Sequence, residues 1–235
     1  MNEKLKKQRI LTLRFKTSIF HNEVEMFRGA VNEALKDDSN TLFHNHEGEK
    51  LRYSYPLIQY KRINRNAALV CINEGIEAIT LLLKKGSFEI RLGNRTTELE
   101  IDSVKANQHL IQTWDSSFTY YLRKWLPLNQ ENYDEYQKLE GVAEKSLFLE
   151  NILKANILSF AKGLNVFFEK QIECKITRLS EPTLIRYKNV KLTMFDAEFV
   201  TNVSIPDYVG LGKGVSIGYG VTVRKKKSKQ LLQIK

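Results

Sequence analysis

Two histidines one residue apart, His44 and His46, are the side chains of this sequence best suited to acid–base chemistry. An imidazole has an ordinary pKa of about 6.5, so both of its protonation states exist near neutral pH. In an extended backbone, residues i and i+2 project to the same side of the chain, and the two rings would then face one reacting group. The pair fits three interpretations: proton transfer, metal ligation or a polar exposed turn.

Metal ligation is the weakest of these interpretations. A structural zinc site normally has four ligands, and the other candidates, Cys71, His21 and His109, show no recognisable ligand spacing around the pair. Cys174 forms no Cys-x-x-Cys pair with Cys71 either, which excludes a cysteine zinc finger. We therefore expect no metal and no cofactor. His21 falls at the expected start of the first helix, where it could cap the helix or reach the site.

The stretch "RYSYPLIQYKR", residues 52–62, follows the histidines and interleaves aromatic with basic residues. This combination can stack bases and neutralise phosphates on a sheet surface. Tyr53 is the candidate hydrogen-bond donor to a phosphate or ribose, and Lys61 and Arg62 are candidate phosphate contacts. The alternative is that some of these tyrosines pack in or around the core.

A glycine-rich segment, "GLGKGVSIGYG", occupies residues 210–220. It has neither the GxGxxG spacing of a dinucleotide site nor the GxxxxGK(S/T) order of a P-loop. Dense glycine permits close backbone approach and positive φ, so its amides could meet a phosphodiester chain. The candidate contacts are Gly210, Gly212, Lys213, Gly218 and Gly220; the alternative is a glycine-rich turn into an edge strand.

The chain has 235 residues, a formal net charge of +10 and a pI near 9.4. Fixed positive charge concentrates polyanions at a protein surface, so a nucleic acid is the first partner to consider. The N-terminal stretch has no apolar core typical of a signal peptide, and no segment approaches the ~20 apolar residues of a membrane span. These features indicate a cytoplasmic protein with no membrane partner.

The elements that must position these residues follow from hydrophobic periodicity. Alternation predicts a strand over residues 9–15, and Val24, Phe27, Val31 and Leu35 recur at helical spacing after it. Strands over 53–63 and 66–74, a helix over 75–86 and a long strand from residue 87 complete a β-α-β-β-α-β order. This order is typical of the ferredoxin-like fold, which presents an open sheet face.

The second half repeats part of this pattern. A strand ending at Pro127 precedes a long helical stretch from about residue 132 to 164, with a break expected near Gly141. Two strands around "SEPT" and a C-terminal strand follow, without an obvious second helix. We predict an α+β protein of two tandem ferredoxin-like (RRM-like) halves with a C-terminal glycine-rich loop, its domains spanning residues 1–112 and 113–235.

The segments "FRGAVNEAL" and "LFHNHEGEKLRYSYPLIQYK", together with the late G-x-G-x5-G-x-G spacing, resemble those of the CRISPR-associated repeat-processing endoribonucleases, most closely their Cas6b-like branch. The resemblance covers most of the chain. It implies a metal-independent endoribonuclease that cuts CRISPR repeat RNA by attack of a ribose 2′-hydroxyl on the adjacent phosphate. The products would carry 2′,3′-cyclic phosphate and 5′-hydroxyl ends.

The resemblance also implies site residues and partners. His46 would act as general acid or base, His44 would assist it or position the substrate, and Tyr53 would bind the phosphate or ribose. CRISPR repeat RNA is the implied partner, with effector-complex subunits as further ones, and ferredoxin-like halves can also pair between chains in a homodimer. The alternatives are an RNA-binding subunit of an effector complex that does not cut, and a zinc-dependent hydrolase that uses the histidine pair.

Overall fold

The structure, a computed structural model, describes residues 7–34, 46–47, 50–51, 55–85 and 87–226. The elements of the first half are β1 (Gln8–Ser18), α1 (Val24–Ala34), β2 (His46–Glu47), β3 (Lys50–Leu51), β4 (Ile58–Ile63), β5 (Asn66–Ile72), α2 (Glu74–Lys85), β6 (Phe88–Leu92), β7 (Arg95–Leu99) and β8 (Ile101–His109).

Four strands of the first half form one antiparallel sheet in the order β4-β5-β1-β8. Helix α1 connects β1 to the hairpin of β4 and β5, and α2 leads from β5 towards β8. This is the ferredoxin-like arrangement expected from the sequence, with two differences in detail. Strand β4 begins at Ile58 rather than Tyr53, and the long strand expected from residue 87 is a hairpin, β6–β7, followed by β8.

The hairpin turn explains the second difference. Gly93 adopts a φ of +62° between β6 and β7, a left-handed conformation that glycine takes at little steric cost. The chain therefore reverses within "LGNR", and β6 pairs with β7 from Phe88↔Leu99 to Leu92↔Arg95. The alternation of apolar and polar residues continues unchanged through this turn. For that reason the sequence predicted one long strand instead of a hairpin.

Both faces of the first sheet are covered, at least in part. Leu13 and Phe15 of β1 are buried on the side of α1 and α2, whereas Ile10 and Ile72 belong to a core shared with the second half. The open face expected of a ferredoxin-like half is therefore partly occupied here, because the second half packs against it. Burial of apolar surface between the two halves stabilises their association.

The elements of the second half are β9 (Thr113–Trp125), α3 (Gln130–Lys138), α4 (Val142–Gly163), β10 (Cys174–Leu179), β11 (Thr183–Tyr187), β12 (Val190–Val203), a 3₁₀ turn (Val215–Ile217) and β13 (Val221–Arg224). Their main sheet has the order β10-β12-β9-β13, and β11 pairs with the first part of β12. When only the four strands of each main sheet path are numbered, both halves have the same order, 2-3-1-4, and the predicted fold class is confirmed.

The helical stretch of the second half is broken where the sequence predicted. Gly141 is the N-cap of α4, and its amide donates to Glu144 Oε2 at 3.2 Å, which satisfies one free donor at the helix start. The helix α4 contacts β10, and its buried side consists of Leu149, Leu153, Ile157, Phe160 and Ala161. No described helix is both long and apolar enough to cross a membrane.

Candidate functional site

The predicted catalytic segment lies largely outside the part of the chain that the structure describes. His44 and Tyr53 fall in undescribed stretches, and only the backbone of His46 is described. His46 begins β2, which pairs with β3 through His46↔Leu51 and Glu47↔Lys50. The backbone at His46 is therefore extended, and the catalytic roles of His44, His46 and Tyr53 stay predictions.

The glycine-rich loop, defined as residues 210–220, takes the place of a second helix in the second half. Gly212, Gly218 and Gly220 have φ values of +88°, +87° and +61°. A Cβ at Gly220 would lie 1.9 Å from the carbonyl oxygen of Leu211, closer than any real side chain approaches. The loop conformation therefore requires glycine at Gly220 for two separate reasons, backbone angle and space.

Gln59 of β4 and Tyr55, which precedes this strand, hold one end of the loop through a ring of hydrogen bonds. The Gly210 amide donates to Gln59 Oε1 at 3.0 Å, and Gln59 Nε2 donates to the Tyr55 hydroxyl at 2.8 Å. That hydroxyl donates in turn to the Gly210 carbonyl oxygen at 2.8 Å. We call Tyr55, Gln59 and Gly210 the interdomain ring.

A second contact from β4 reaches the middle of the loop. The Lys61 ammonium is fully buried and donates to the Val215 carbonyl oxygen at 2.9 Å. Because burial penalises the charged form, the pKa of Lys61 falls to about 7. The expectation that Lys61 binds RNA phosphate is not met by this arrangement, since the ammonium is enclosed by protein.

The aromatic and basic stretch before β5 is also turned inward. Tyr60 is buried, and its hydroxyl donates to Asn32 Oδ1 at 3.0 Å; Tyr55 packs edge-on against Phe160. Burial raises the pKa of both tyrosines. The core-packing alternative therefore holds for these two tyrosines.

Arg62 is the basic residue of β4 that stays accessible. Its Nε donates to the Ile19 carbonyl oxygen at 2.6 Å, and its Nη1 lies 3.0 Å from His21 Nε2. Among the described residues, no hydrogen bond joins the His21 side chain to an amide of α1, so the capping role considered for His21 is not seen. His21 instead faces Arg62 at the boundary between the halves.

A partly exposed aromatic and basic surface lies beside the glycine-rich loop, and sequence reasoning named only one of its residues, Lys213, as a candidate contact. The rings of Tyr187 and Tyr219 meet edge to face with centroids 5.6 Å apart. Lys213 and Lys188 place their ammonium groups 5.7 and 5.9 Å from the Tyr187 ring centroid. Aromatic faces stack nucleobases and ammonium groups neutralise phosphates, so this tyrosine pair can contact a single strand.

A signal for this surface exists in the sequence. Tyr187 precedes "KN", and Lys188 and Asn189 adopt φ values of +46° and +66° in the turn between β11 and β12. Two successive positive φ values are typical of a tight hairpin turn. The hairpin carries Tyr187 to Tyr219, a proximity that requires the tertiary fold.

The described residues offer no evident metal centre. Among them, no group of three His, Cys, Asp or Glu side chains is arranged to hold a metal ion. Cys71 and Cys174 are buried free thiols, and burial raises the pKa of each to about 12.

Comparisons with known proteins agree across both halves. The family model of the Cas6b N-terminal domain matches residues 6–110, and that of the Cas6b C-terminal domain matches residues 112–225. A protein of Methanocaldococcus jannaschii, "Uncharacterized protein MJ0978", is 38% identical over 104 residues, covering 44% of this chain and 69% of that protein.

Solved structures show the same fold. A crystal structure of Cas6b superposes with a TM-score of 0.86 at 26% identity, over 94% of this chain and 100% of that chain. A crystal structure of the CRISPR RNA processing endoribonuclease Cas6b superposes with a TM-score of 0.72 at 24% identity, with the same 94% and 100% coverage.

Proposed function

The chain belongs to the Cas6b family, and on that premise we propose that it is an endoribonuclease that processes CRISPR RNA. The observation that carries the proposal is the match of both Cas6b domain models, which together span residues 6–110 and 112–225. The half-buried tyrosine pair with the exposed Lys188 and Lys213 supports RNA as substrate, since it combines aromatic surface with positive charge.

The proposed reaction is in-line attack of a ribose 2′-hydroxyl on the adjacent phosphate of the repeat. It needs a base for the 2′-hydroxyl proton, an acid for the departing 5′-oxygen and donors to the phosphate oxygens. His46 and His44 would transfer the protons, and the Tyr53 hydroxyl would bind the phosphate or ribose. The bond from phosphorus to the 5′-oxygen breaks as the cyclic phosphate forms, so the step consumes no water, and in this proposal the histidines take the place of a metal.

The direct test is incubation of purified protein with repeat RNA in EDTA. We expect cleavage, with products that carry a 2′,3′-cyclic phosphate and a 5′-hydroxyl. General acid–base action typically contributes about 100- to 10,000-fold, so His46→Ala should slow cleavage by that factor while RNA binding persists. Asn45→Ala, between the two histidines, is the matched control and should cleave like the wild type.

Three results would contradict this proposal in different ways. Cleavage only after addition of zinc or manganese would replace the mechanism by a metal-dependent one. Tight binding without cleavage under any condition would favour the RNA-binding subunit. Wild-type rates in His44→Ala, His46→Ala and Tyr53→Phe together would place the catalytic groups elsewhere.

Partners other than RNA are part of the same proposal. Effector-complex subunits would be recovered with the tagged protein from cells that carry the repeat array. A homodimer would appear as a doubled mass in light scattering, measured with and without repeat RNA. Fractionation of the same cells would test the cytoplasmic location, with the protein expected in the cytoplasmic fraction.

A further inference from the structure

Lys61 combines a charged group with complete burial. Its side chain is fully buried, and its ammonium donates to the Val215 carbonyl oxygen at 2.9 Å. Among the described residues, no carboxylate forms an ion pair with it. Removing an ammonium from water without an opposite charge is unfavourable, whereas a methionine of similar length would fill the same space without that penalty. The lysine therefore calls for a role that depends on its charge.

The elements next to Lys61 carry several titratable groups: Cys71 of β5, Arg14 of β1, Glu25, Arg28 and Glu33 of α1, and Lys213 and Tyr219 of the loop. Cys71 belongs to the core on the opposite face of the sheet. Arg14 forms an ion pair with Asp102 at 3.1 Å. Burial is the cause that lowers the pKa of Lys61, to about 7. Charged and neutral Lys61 therefore coexist near neutral pH.

The turn that Lys61 contacts also supports the tyrosine pair. Val215 begins this 3₁₀ turn, and Gly214 precedes it with a φ of +72°. The backbone of Gly214 lies against both rings, because a Cβ there would be 2.8 Å from Tyr219 Cδ2 and 3.1 Å from Tyr187 Cε2. The buried ammonium and the half-buried tyrosine pair thus contact adjacent residues of one short turn.

Helix α1 holds the same turn at a second point. Arg28 Nη1 donates to Ser216 Oγ at 3.3 Å. The side chains of Val215 and Ile217 are buried. The conformation of the turn, and with it the placement of the tyrosine pair, therefore depends on contacts with the first half.

An RNA phosphate on the glycine-rich loop would bring an opposite charge close to Lys61. A nearby anion favours the charged form of a lysine and raises its pKa. The effect is stronger for a buried group, since the effective dielectric constant around it is low. Coupling between two binding events is reciprocal, so a protonated Lys61 must favour RNA binding by the same factor.

We propose that Lys61 is a positioning residue for RNA on the glycine-rich loop: it holds the turn at Val215 and takes up a proton when RNA binds, without contacting the RNA. The inference deepens the proposed function and rests on it for RNA as the ligand. The proton comes from the solvent and goes to the Lys61 amine, and no bond of the RNA changes.

The first measurement uses wild-type protein and repeat RNA made uncleavable by a 2′-deoxy substitution. Titration calorimetry in buffers with different ionisation enthalpies counts the protons that are taken up on binding. We expect an uptake that approaches about one proton per RNA near pH 8, and an affinity that falls by up to about fifteenfold from pH 7 to 8.5. No variant is needed for this result.

The second measurement assigns the proton. Lys61→Met removes both the charge and the donor, whereas Lys61→Gln keeps a shorter donor without the charge. In both variants the uptake should fall by the share of Lys61, and affinity at pH 7 should fall by up to about tenfold. Lys175→Met, on an exposed part of β10, should keep the uptake of the wild type. Thermal unfolding of each variant controls for folding.

Hydrogen exchange reports on the turn itself. The amides of Ile217 and Tyr219 donate to the Gly214 carbonyl oxygen at 3.0 and 3.3 Å. They should exchange faster in Lys61→Met than in the wild type, and more slowly in Lys61→Gln than in Lys61→Met. Equal exchange in all three proteins would overturn the positioning role.

The salt dependence of RNA binding separates positioning from direct contact. A residue that contacts a phosphate changes the slope of affinity against salt by about one. Lys213→Gln, on the half-exposed part of the loop, should lower the slope by that amount, whereas Lys61→Met should leave it unchanged. An equal decrease in both variants would overturn the proposal, because Lys61 would then contact the RNA.

The outcomes also separate this inference from the proposed function, because no measurement depends on cleavage. Normal RNA binding without proton uptake would overturn the inference in a protein that still cuts RNA. Equal uptake in the wild type and Lys61→Met would overturn it as well, since the proton would belong to another group. Uptake that depends on Lys61 would support it even in a protein that never cleaves.

Discussion

The two halves have the same strand order but differ in how the chain passes to the last strand of each sheet. In the first half α2 follows β5, and in the second half the glycine-rich loop follows β12. A helix pairs most of its own amides and carbonyls, whereas a loop must find partners for them. The first half supplies several of these partners through Tyr55, Gln59 and Lys61. The irregular connection thus ties the two halves together.

The largest effect on stability is expected from adding a methyl group to a glycine of the glycine-rich loop. Gly220→Ala would place Cβ 1.9 Å from the Leu211 carbonyl oxygen at a φ of +61°. We expect a loss of more than about 4 kcal/mol in the free energy of unfolding, in the range of severe substitutions. Denaturant unfolding measures it.

Gly93→Ala is the matched control for backbone angle alone. Gly93 has a φ of +62°, but the nearest atom to its added Cβ is Met26 Sδ at 3.4 Å. The free energy of unfolding should fall by only about 1 to 2 kcal/mol, which is the cost of a left-handed backbone conformation for alanine. Equal losses in the two variants would show that the contact with Leu211 has no energetic weight.

A smaller effect is expected from the interdomain ring. Gln59→Leu removes the acceptor of the buried Gly210 amide, and an unsatisfied buried donor costs about 1 to 3 kcal/mol. In the double variant Gln59→Leu/Tyr55→Phe, the loss in the free energy of unfolding should be smaller than the sum of the two single losses. The reason is that both side chains belong to one ring of hydrogen bonds. Gln108→Leu, on exposed β8, is the control. If the two single losses in unfolding free energy add exactly in a double-mutant cycle, Tyr55 and Gln59 do not act as one hydrogen-bonded ring.

Lys61 makes the contact between the halves sensitive to pH. Its pKa is lowered from 10.5 to about 7 in the folded protein, so between those values the unfolded chain binds more protons and stability rises with pH. The rise is at most about 1.4 kcal/mol per pH unit, or about 2 kcal/mol from pH 7 to 8.5. Above that window Cys71 and Cys174 oppose it, since burial raises the pKa of each thiol.

The check is the unfolding free energy of wild type and Lys61→Met across that window. The rise should be smaller in Lys61→Met by the contribution of Lys61 and unchanged in Lys175→Met, whose lysine is exposed. The same slope in all three proteins would show that Lys61 keeps an ordinary pKa in the folded state.

The smallest change in stability is expected at a helix glycine, Gly29, which differs from the loop glycines because its backbone does not require glycine. Gly29 lies inside α1, and no atom is within 4 Å of the Cβ that alanine would add. Alanine is favoured over glycine in a helix by about 1 kcal/mol, so Gly29→Ala should stabilise the protein by up to that amount. A raised melting temperature would confirm it; a lowered one would indicate a contact of Gly29 with residues beyond the described ranges.

Local pattern predicted much of the fold. Helical spacing marked α1, alternation marked β1, and Gly141 marked the break before α4, because these signals depend on neighbours in sequence. The same reasoning placed RNA contacts on β4, where Tyr60 and Lys61 are buried. Polarity along a strand does not reveal whether the second half covers that strand.

The sequence by itself determined the order of the main strands and helices, the basic charge, the glycine-rich loop and the histidine pair as candidate catalytic groups. Only the tertiary structure decided that Lys61 is enclosed, that Arg62 and Lys124 line one cavity, and that Tyr187 contacts Tyr219. These pairs are separated by many residues along the chain, so their proximity depends on how the halves pack. Periodicity fixes which way a side chain points within its own element, but burial against another element fixes what it contacts.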